Sequence, residues 1–176
     1  MHELILTTHS VEETRDFGIF IGKHAEDDLF IALSGTLGAG KTHLVQGIAR
    51  GLDIDEVVTS PTFNIMNIFE GRLPLKHFDF YRLDREEDLY NIGWDEYSVG
   101  GVTVVEWADM FPGLIPKEAI RITIEAESET VRKLTIQWEE RAPQKLVKEI
   151  EQYVAGHRYI IIGIKLRTGR KRQTDK

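Results

Sequence analysis

The chain has 176 residues, enough for one domain with a real core and too few for two ordinary ones. Apolar residues make up 41% and charged residues 29%, the balance of a soluble globular protein, and no apolar run is long enough to span a membrane. The absence of cysteine excludes a disulfide framework, a thiolate zinc site and a cysteine nucleophile, and the start Met1-His2-Glu3 is not that of a signal peptide, so a cytosolic address is expected.

Residues 4–7 read as a short strand. Ser10 and Glu13 then have the spacing of a capping box and open a helix, with Val11, Thr14, Gly18, Ile21 and Ala25 on one stripe. Residues 29–33 form a continuous apolar run, as a strand buried on both faces of a parallel sheet requires. A glycine-rich loop follows, and residues 41–52 read as the next helix. Residues 63–69 and 73–81 look like two strands joined at Glu70-Gly71-Arg72, and residues 85–90 like a short acidic helix. Residues 102–105 are another buried strand, ending at Glu106. Residues 119–125 and 131–138 alternate in polarity, as antiparallel, half-exposed strands do, and residues 143–154 make a closing helix. The reading is an α/β fold: a single P-loop NTPase domain, residues 1–155, with a mixed parallel and antiparallel central sheet flanked by helices.

Beyond it, residues 156–176 hold a local charge of +6, against −13 for the remainder. This basic tail reads as solvated and partly disordered, with nucleic-acid contact as the alternative.

The loop Gly35-Thr36-Leu37-Gly38-Ala39-Gly40-Lys41-Thr42 matches G-x-x-x-x-G-K-[ST] in full, between an apolar strand and a helix. Glycines let successive N–H groups point inward as an anion nest, and the helix N-terminus adds partial positive charge there. Lys41 is expected to reach the β- and γ-phosphates, and the Thr42 hydroxyl to ligate Mg²⁺. Neither Asn-Lys-x-Asp nor Asp-x-x-Gly occurs, which favours ATP over GTP.

Phosphoryl chemistry needs a metal-side carboxylate and a group that places the attacking oxygen. Glu106 stands at a strand end where such an acid belongs, against the reading of a surface glutamate. Asp79 is the second candidate, against that of an exposed acid paired with Arg82. Ser60-Pro61-Thr62 is either a switch sensing the γ-phosphate or a turn. His43 touches an α-phosphate or lies on the helix surface. Trp107 is a site wall or core packing, while Trp94 and Trp138 read as packing. His2, His9 and His24 read as surface.

Taken together, the glycine loop, Ser60-Pro61-Thr62-Phe63, His77-x-Asp79-x-Tyr81-Arg82 and Val105-Glu106-Trp107 resemble, in order and spacing, the bacterial TsaE (YjeE) family over roughly residues 3–155. That resemblance implies a small ATPase that works with the TsaD and TsaB proteins in making threonylcarbamoyladenosine on tRNA, touching tRNA only indirectly. It implies that Thr42 and Glu106 hold Mg²⁺, that Thr62 and Asp79 act near the γ-phosphate, and that Thr8 and Arg132 lie near the base. Thr36 departs from the acidic residue usual there. A small-molecule kinase on the same loop and a nucleotide-gated binding module with negligible turnover remain the alternatives.

Overall fold

The computed structural model describes residues 1–61 and 64–169, with side chains through His157. Its strands are β1 (His2–Thr8), β2 (Leu29–Gly35), β3 (Met66–Phe69), β4 (Leu75–Asp79), β5 (Val102–Glu106), β6 (Ile120–Ala126) and β7 (Arg132–Trp138). Its α-helices are α1 (Val11–His24), α2 (Lys41–Gly51), α3 (Glu87–Asn91), α4 (Trp94–Tyr97) and α5 (Gln144–Gly169). One seven-stranded sheet runs in the order β1-β7-β6-β2-β5-β4-β3.

Strand β2 lies near the middle, parallel to both β5 and β6, which is why its first five residues are all buried. Its alternate side chains feed two cores. Leu29, Ile31 and Leu33 join the cluster that includes Phe17, Ile21, Leu44, Ile48 and Ile150 from α1, α2 and α5, and Phe30 and Ala32 face Phe78, Phe80, Leu89 and Trp94. Trp94 meets Phe78 and Phe80 edge-on at 4.9 and 5.5 Å, a packing role as expected. The antiparallel pairs β1/β7, β6/β7 and β3/β4 complete the mixed sheet.

The start of α1 is capped as its sequence predicts: the Glu13 N–H donates to Ser10 Oγ at 3.1 Å. The return bond goes one residue farther back, from the His9 N–H to Glu13 Oε2 at 2.6 Å. Four residues of the expected stripe, Thr14, Gly18, Ile21 and Ala25, are buried, and Val11, 40% exposed, is not. Phe17 and Gly22 are turned inward beside Thr14, Gly18 and Ile21. The reason is the crossing with α2, where Gly18 and Gly22 meet Gly47 and Gly51. A Cβ at any of these four would fall 2.2–2.4 Å from a backbone oxygen of the facing helix. Backbone-to-backbone contact therefore sets the face of α1 and fixes α2, the helix that begins at Lys41.

The β3–β4 hairpin docks on the far ends of these helices, where Arg72 donates to Gly22 O at 2.8 Å and to Ala25 O at 2.9 Å. Two further elements differ from the sequence reading. Helix α5 continues to Gly169 instead of ending at residue 154, and the short helix α4 follows α3. Residues 170–176 of the basic tail lie outside the described residues. Among the described residues no helix is long and apolar enough to cross a membrane.

Candidate functional site

The loop between β2 and α2 bends through two glycines with positive φ, Gly38 at 77° and Gly40 at 111°, conformations that L side chains rarely adopt. Gly40 is the N-cap residue of α2 and brings no side chain to the cap, so the first N–H groups of an 11-residue helix stay directed at the loop. Lys41 returns across it. Its Nζ donates to Gly35 O at 2.7 Å and Thr36 O at 2.9 Å, and lies 4.3 Å from the centroid of the Trp107 ring. Burial pushes the Lys41 ammonium below the ordinary lysine range, while the charges of Glu106, Asp79 and Asp109 pull it back up. Trp107 is held at φ 58°, a left-handed conformation unusual for a large side chain, and also packs against Tyr81 at 4.8 Å. It is a wall of the site.

Opposite the loop stand the acids. Parallel pairing of β4 with β5 sets Asp79 beside Glu106, and the two-residue pleat puts His77 on the same face as Asp79. Glu106 is only 2% exposed, and its two oxygens are used differently. Oε1 accepts from the Thr42 hydroxyl at 3.3 Å, and Oε2 pairs with His77 Nε2 at 2.6 Å. Ser60 Oγ donates to Asp79 Oδ2 at 2.8 Å and lies 3.5 Å from Glu106 Oε2, so it bridges the two carboxylates. Asp79 Oδ1 accepts from the Tyr81 N–H at 2.9 Å, which fixes its rotamer.

These groups face a cleft of about 440 Å³ lined by the loop, Thr42, His43, Ser60, Asp79, Tyr81, Arg82, Glu106 and Trp107. It lies beyond the carboxyl ends of β2, β4 and β5, where open α/β sheets bind ligands. The donor set is one hydroxyl of the loop, a second hydroxyl at Ser60 and two carboxylates, all hard oxygens. That suits Mg²⁺, which takes few protein ligands and completes its shell from phosphate and water. Among the described residues no group of three or more His, Cys, Asp or Glu forms a dedicated metal cage.

The structure brings together Gly35, Leu37, Gly38, Ala39, Gly40, Lys41, Thr42, Asp79 and Glu106 as one site, and His43 lines its edge. His43 Nδ1 lies 3.4 Å from Gln46 Oε1 and 3.5 Å from an Arg15 nitrogen, so its ring is oriented by the helices. Arg132 reaches the loop from β7, its Nε donating to Ala39 O at 2.8 Å. Thr8 is paired with Arg132 across β1 and β7, but its hydroxyl is buried against Thr14 Oγ1 at 2.7 Å and does not line the cleft. Thr62 lies outside the described residues.

Two members of the site act in ways the sequence does not show. Ser60, read as part of a γ-phosphate switch or a turn, bridges the two carboxylates. His77 appeared only as a letter in a motif, although its spacing from Asp79 already put both on one face of a strand.

The family model "Threonylcarbamoyl adenosine biosynthesis protein TsaE" matches residues 8–135. The tRNA threonylcarbamoyladenosine biosynthesis protein TsaE of Treponema pallidum (strain Nichols) is 37% identical over 130 residues, covering 73% of this chain and 96% of that protein. Its counterpart from Bacillus subtilis (strain 168) is 38% identical over 137 residues, with 77% and 85% covered. The crystal structure of Bacillus subtilis YdiB superposes with a TM-score of 0.72 at 29% identity, covering 86% of this chain and 96% of that one.

Proposed function

The chain belongs to the TsaE family, and on that premise we propose that it is a cytoplasmic, Mg²⁺-dependent ATP-hydrolysing subunit of the machinery that makes threonylcarbamoyladenosine on tRNA, acting with the TsaD and TsaB proteins. One observation carries this reading. A complete phosphate loop faces two carboxylates across a single cleft, with Thr42 and Glu106 3.3 Å apart and Asp79 joined to them through Ser60.

The loop N–H groups and the N-terminus of α2 supply the anion nest, and Lys41 supplies a full positive charge that swings from Gly35 O and Thr36 O onto the phosphates. Thr42 and Glu106 would hold Mg²⁺, which when bound neutralises phosphate charge and so favours attack at the terminal phosphorus. Asp79, its rotamer fixed by the Tyr81 N–H, would accept a hydrogen bond from the attacking water and orient it. Arg82 lines the same cleft and is the arginine there that would stabilise charge on the terminal phosphate. Its exposure makes intrinsic turnover slow and leaves partners a part in completing the site.

The body is acidic, so contact with tRNA runs through the partners. Phosphate release from Mg·ATP by the purified chain, alone and with the TsaD and TsaB proteins, tests the reading. Slow release that rises with those partners is expected. Release only on adding a small acceptor would replace it with a kinase. ATP binding with no release in either condition would make the chain a nucleotide-gated module and point to Thr36.

A further inference from the structure

His77 is fully buried, on β4, one turn of the pleat before Asp79. It points at Glu106, and its Nε2 stands 2.6 Å from Oε2 of that carboxylate. Its other ring nitrogen, Nδ1, is buried without a hydrogen-bond partner among the described residues. A carboxylate oxygen accepts, so Nε2 is the donor in this bond. A proton on Nδ1 would be buried and unsatisfied, which singles out the Nε2–H form.

The consequence for Glu106 is geometric. A carboxylate on a free rotor presents either oxygen equally. Here a short bond from behind occupies Oε2, and Oε1 is left turned to the Thr42 hydroxyl. Ser60, 3.5 Å from Oε2, is the only other side-chain donor to that oxygen among the described residues, and it is committed to Asp79 at 2.8 Å. The burial of His77 is otherwise hard to account for. An apolar residue would fill the same space between Leu75 and Asp79 without stranding a nitrogen.

We propose that His77 is a positioning residue: its Nε2–H locks the Glu106 carboxylate so that Oε1 faces Thr42, and this sets the affinity of the loop for Mg²⁺. The proposal rests on the Mg·ATP reading above. It places the imidazole behind the metal-side acid, not in contact with nucleotide, and so predicts a metal defect without a nucleotide defect.

The test compares two substitutions of nearly equal shape. His77→Gln keeps an N–H donor close to the Nε2 position, and His77→Met removes it. ATP binding is followed by calorimetry, first with a chelator and then across a Mg²⁺ titration. With the chelator, both variants bind ATP as the unaltered chain does. In the titration, His77→Met needs ~10-fold or more Mg²⁺ to reach half effect, and His77→Gln returns to within ~3-fold. Thermal melting of each variant accompanies the titration. If His77→Met does not fold, His77→Asn, whose amide falls on the Nδ1 side, takes its place with the same expected defect.

A Mg²⁺ midpoint in His77→Met equal to that of the unaltered chain overturns the proposal. So does an equal defect in Met and Gln variants, which would reduce His77 to packing. An unaltered chain that binds ATP with no response to Mg²⁺ overturns the Mg·ATP reading itself, and the proposal with it.

Discussion

Lys41 and Lys76 are built almost alike. Each is nearly buried, at 5% and 6% exposure, and each donates to two backbone carbonyls: Gly35 and Thr36 for Lys41, Val99 and Gly100 for Lys76. Burial pushes both below the ordinary lysine range. They differ in what they face. Lys41 lies beyond the carboxyl ends of the parallel strands, over the Trp107 ring and across from Glu106 and Asp79. Lys76 lies near the opposite end, tying down a turn whose Gly100 and Gly101 N–H groups are already held by Asp28 and Asp27. A buried, perturbed lysine is therefore no sign of function by itself. The space in front of the ammonium decides.

Substitutions can separate the two ends. The largest effect belongs to Asp79→Ala, which acts only at the cleft. Partner-stimulated phosphate release should fall on the order of 100-fold, while ATP affinity measured by calorimetry stays within ~3-fold. If binding is lost instead, Asp79 holds the ligand and does not orient water.

Gly47→Ala reaches the cleft through the scaffold. Its Cβ would lie 2.2 Å from Arg15 O, so α1 and the helix carrying Lys41 and Thr42 must separate. Denaturant unfolding should show a loss of about 1–3 kcal/mol, accompanied by weaker ATP binding. An unchanged unfolding midpoint would disprove the close crossing of α1 and α2.

Lys76→Met removes the quiet partner of the comparison. It strands two carbonyl acceptors and should cost about 1 kcal/mol in the same unfolding measurement, with Mg·ATP affinity unchanged. A shift in affinity would show that the two ends are coupled and that Lys76 is not purely structural.

The smallest effect lies at neither end. Tyr153, packed against Phe17 and Phe20, has its phenol pushed up by burial from 10.0 to about 12. Between those values the folded chain holds a proton that the unfolded chain has released. The contribution of Tyr153 is thus fully present below the unfolded value and is lost as pH rises through the folded one. The lysines have the opposite sign: their lowered folded values make stability rise as pH approaches 10.5. Unfolding measured at about pH 9 and about pH 11 should show a smaller alkaline loss for Tyr153→Phe than for the unaltered chain. An equal loss would leave Tyr153 without a part in it.

What could be read from the sequence was local. The phosphate loop is eight consecutive residues with one conformational requirement, and the Ser10 cap is a spacing of three. Strand β2 announces itself by five apolar residues in a row, and the Glu70-Gly71-Arg72 turn joins its two strands as read. The acidic half of the site depends on pairs distant in sequence. Asp79 and Glu106 come together only because β4 lies next to β5, and strand order is not written in either segment. The bond between His77 and Glu106 was hidden for the same reason. The stripe of α1 is legible at Thr14, Gly18, Ile21 and Ala25, whereas Gly22 escapes it because glycine carries no hydrophobic signal, although Gly18 and Gly22 meet Gly47 and Gly51 where the helices cross. Lys76 gave no signal at all, since a lysine within an apolar strand reads as an ordinary edge residue until its carbonyl partners are located.

The most direct test is an equilibrium titration of Mg·ATP into the unaltered chain and into Lys41→Met, with melting curves alongside. The structure predicts saturable one-to-one binding by the unaltered chain and at least ~10-fold weaker binding by the variant, with folding preserved. Equal binding by both, or no binding by the unaltered chain, would contradict the assignment of the cleft as an ATP site.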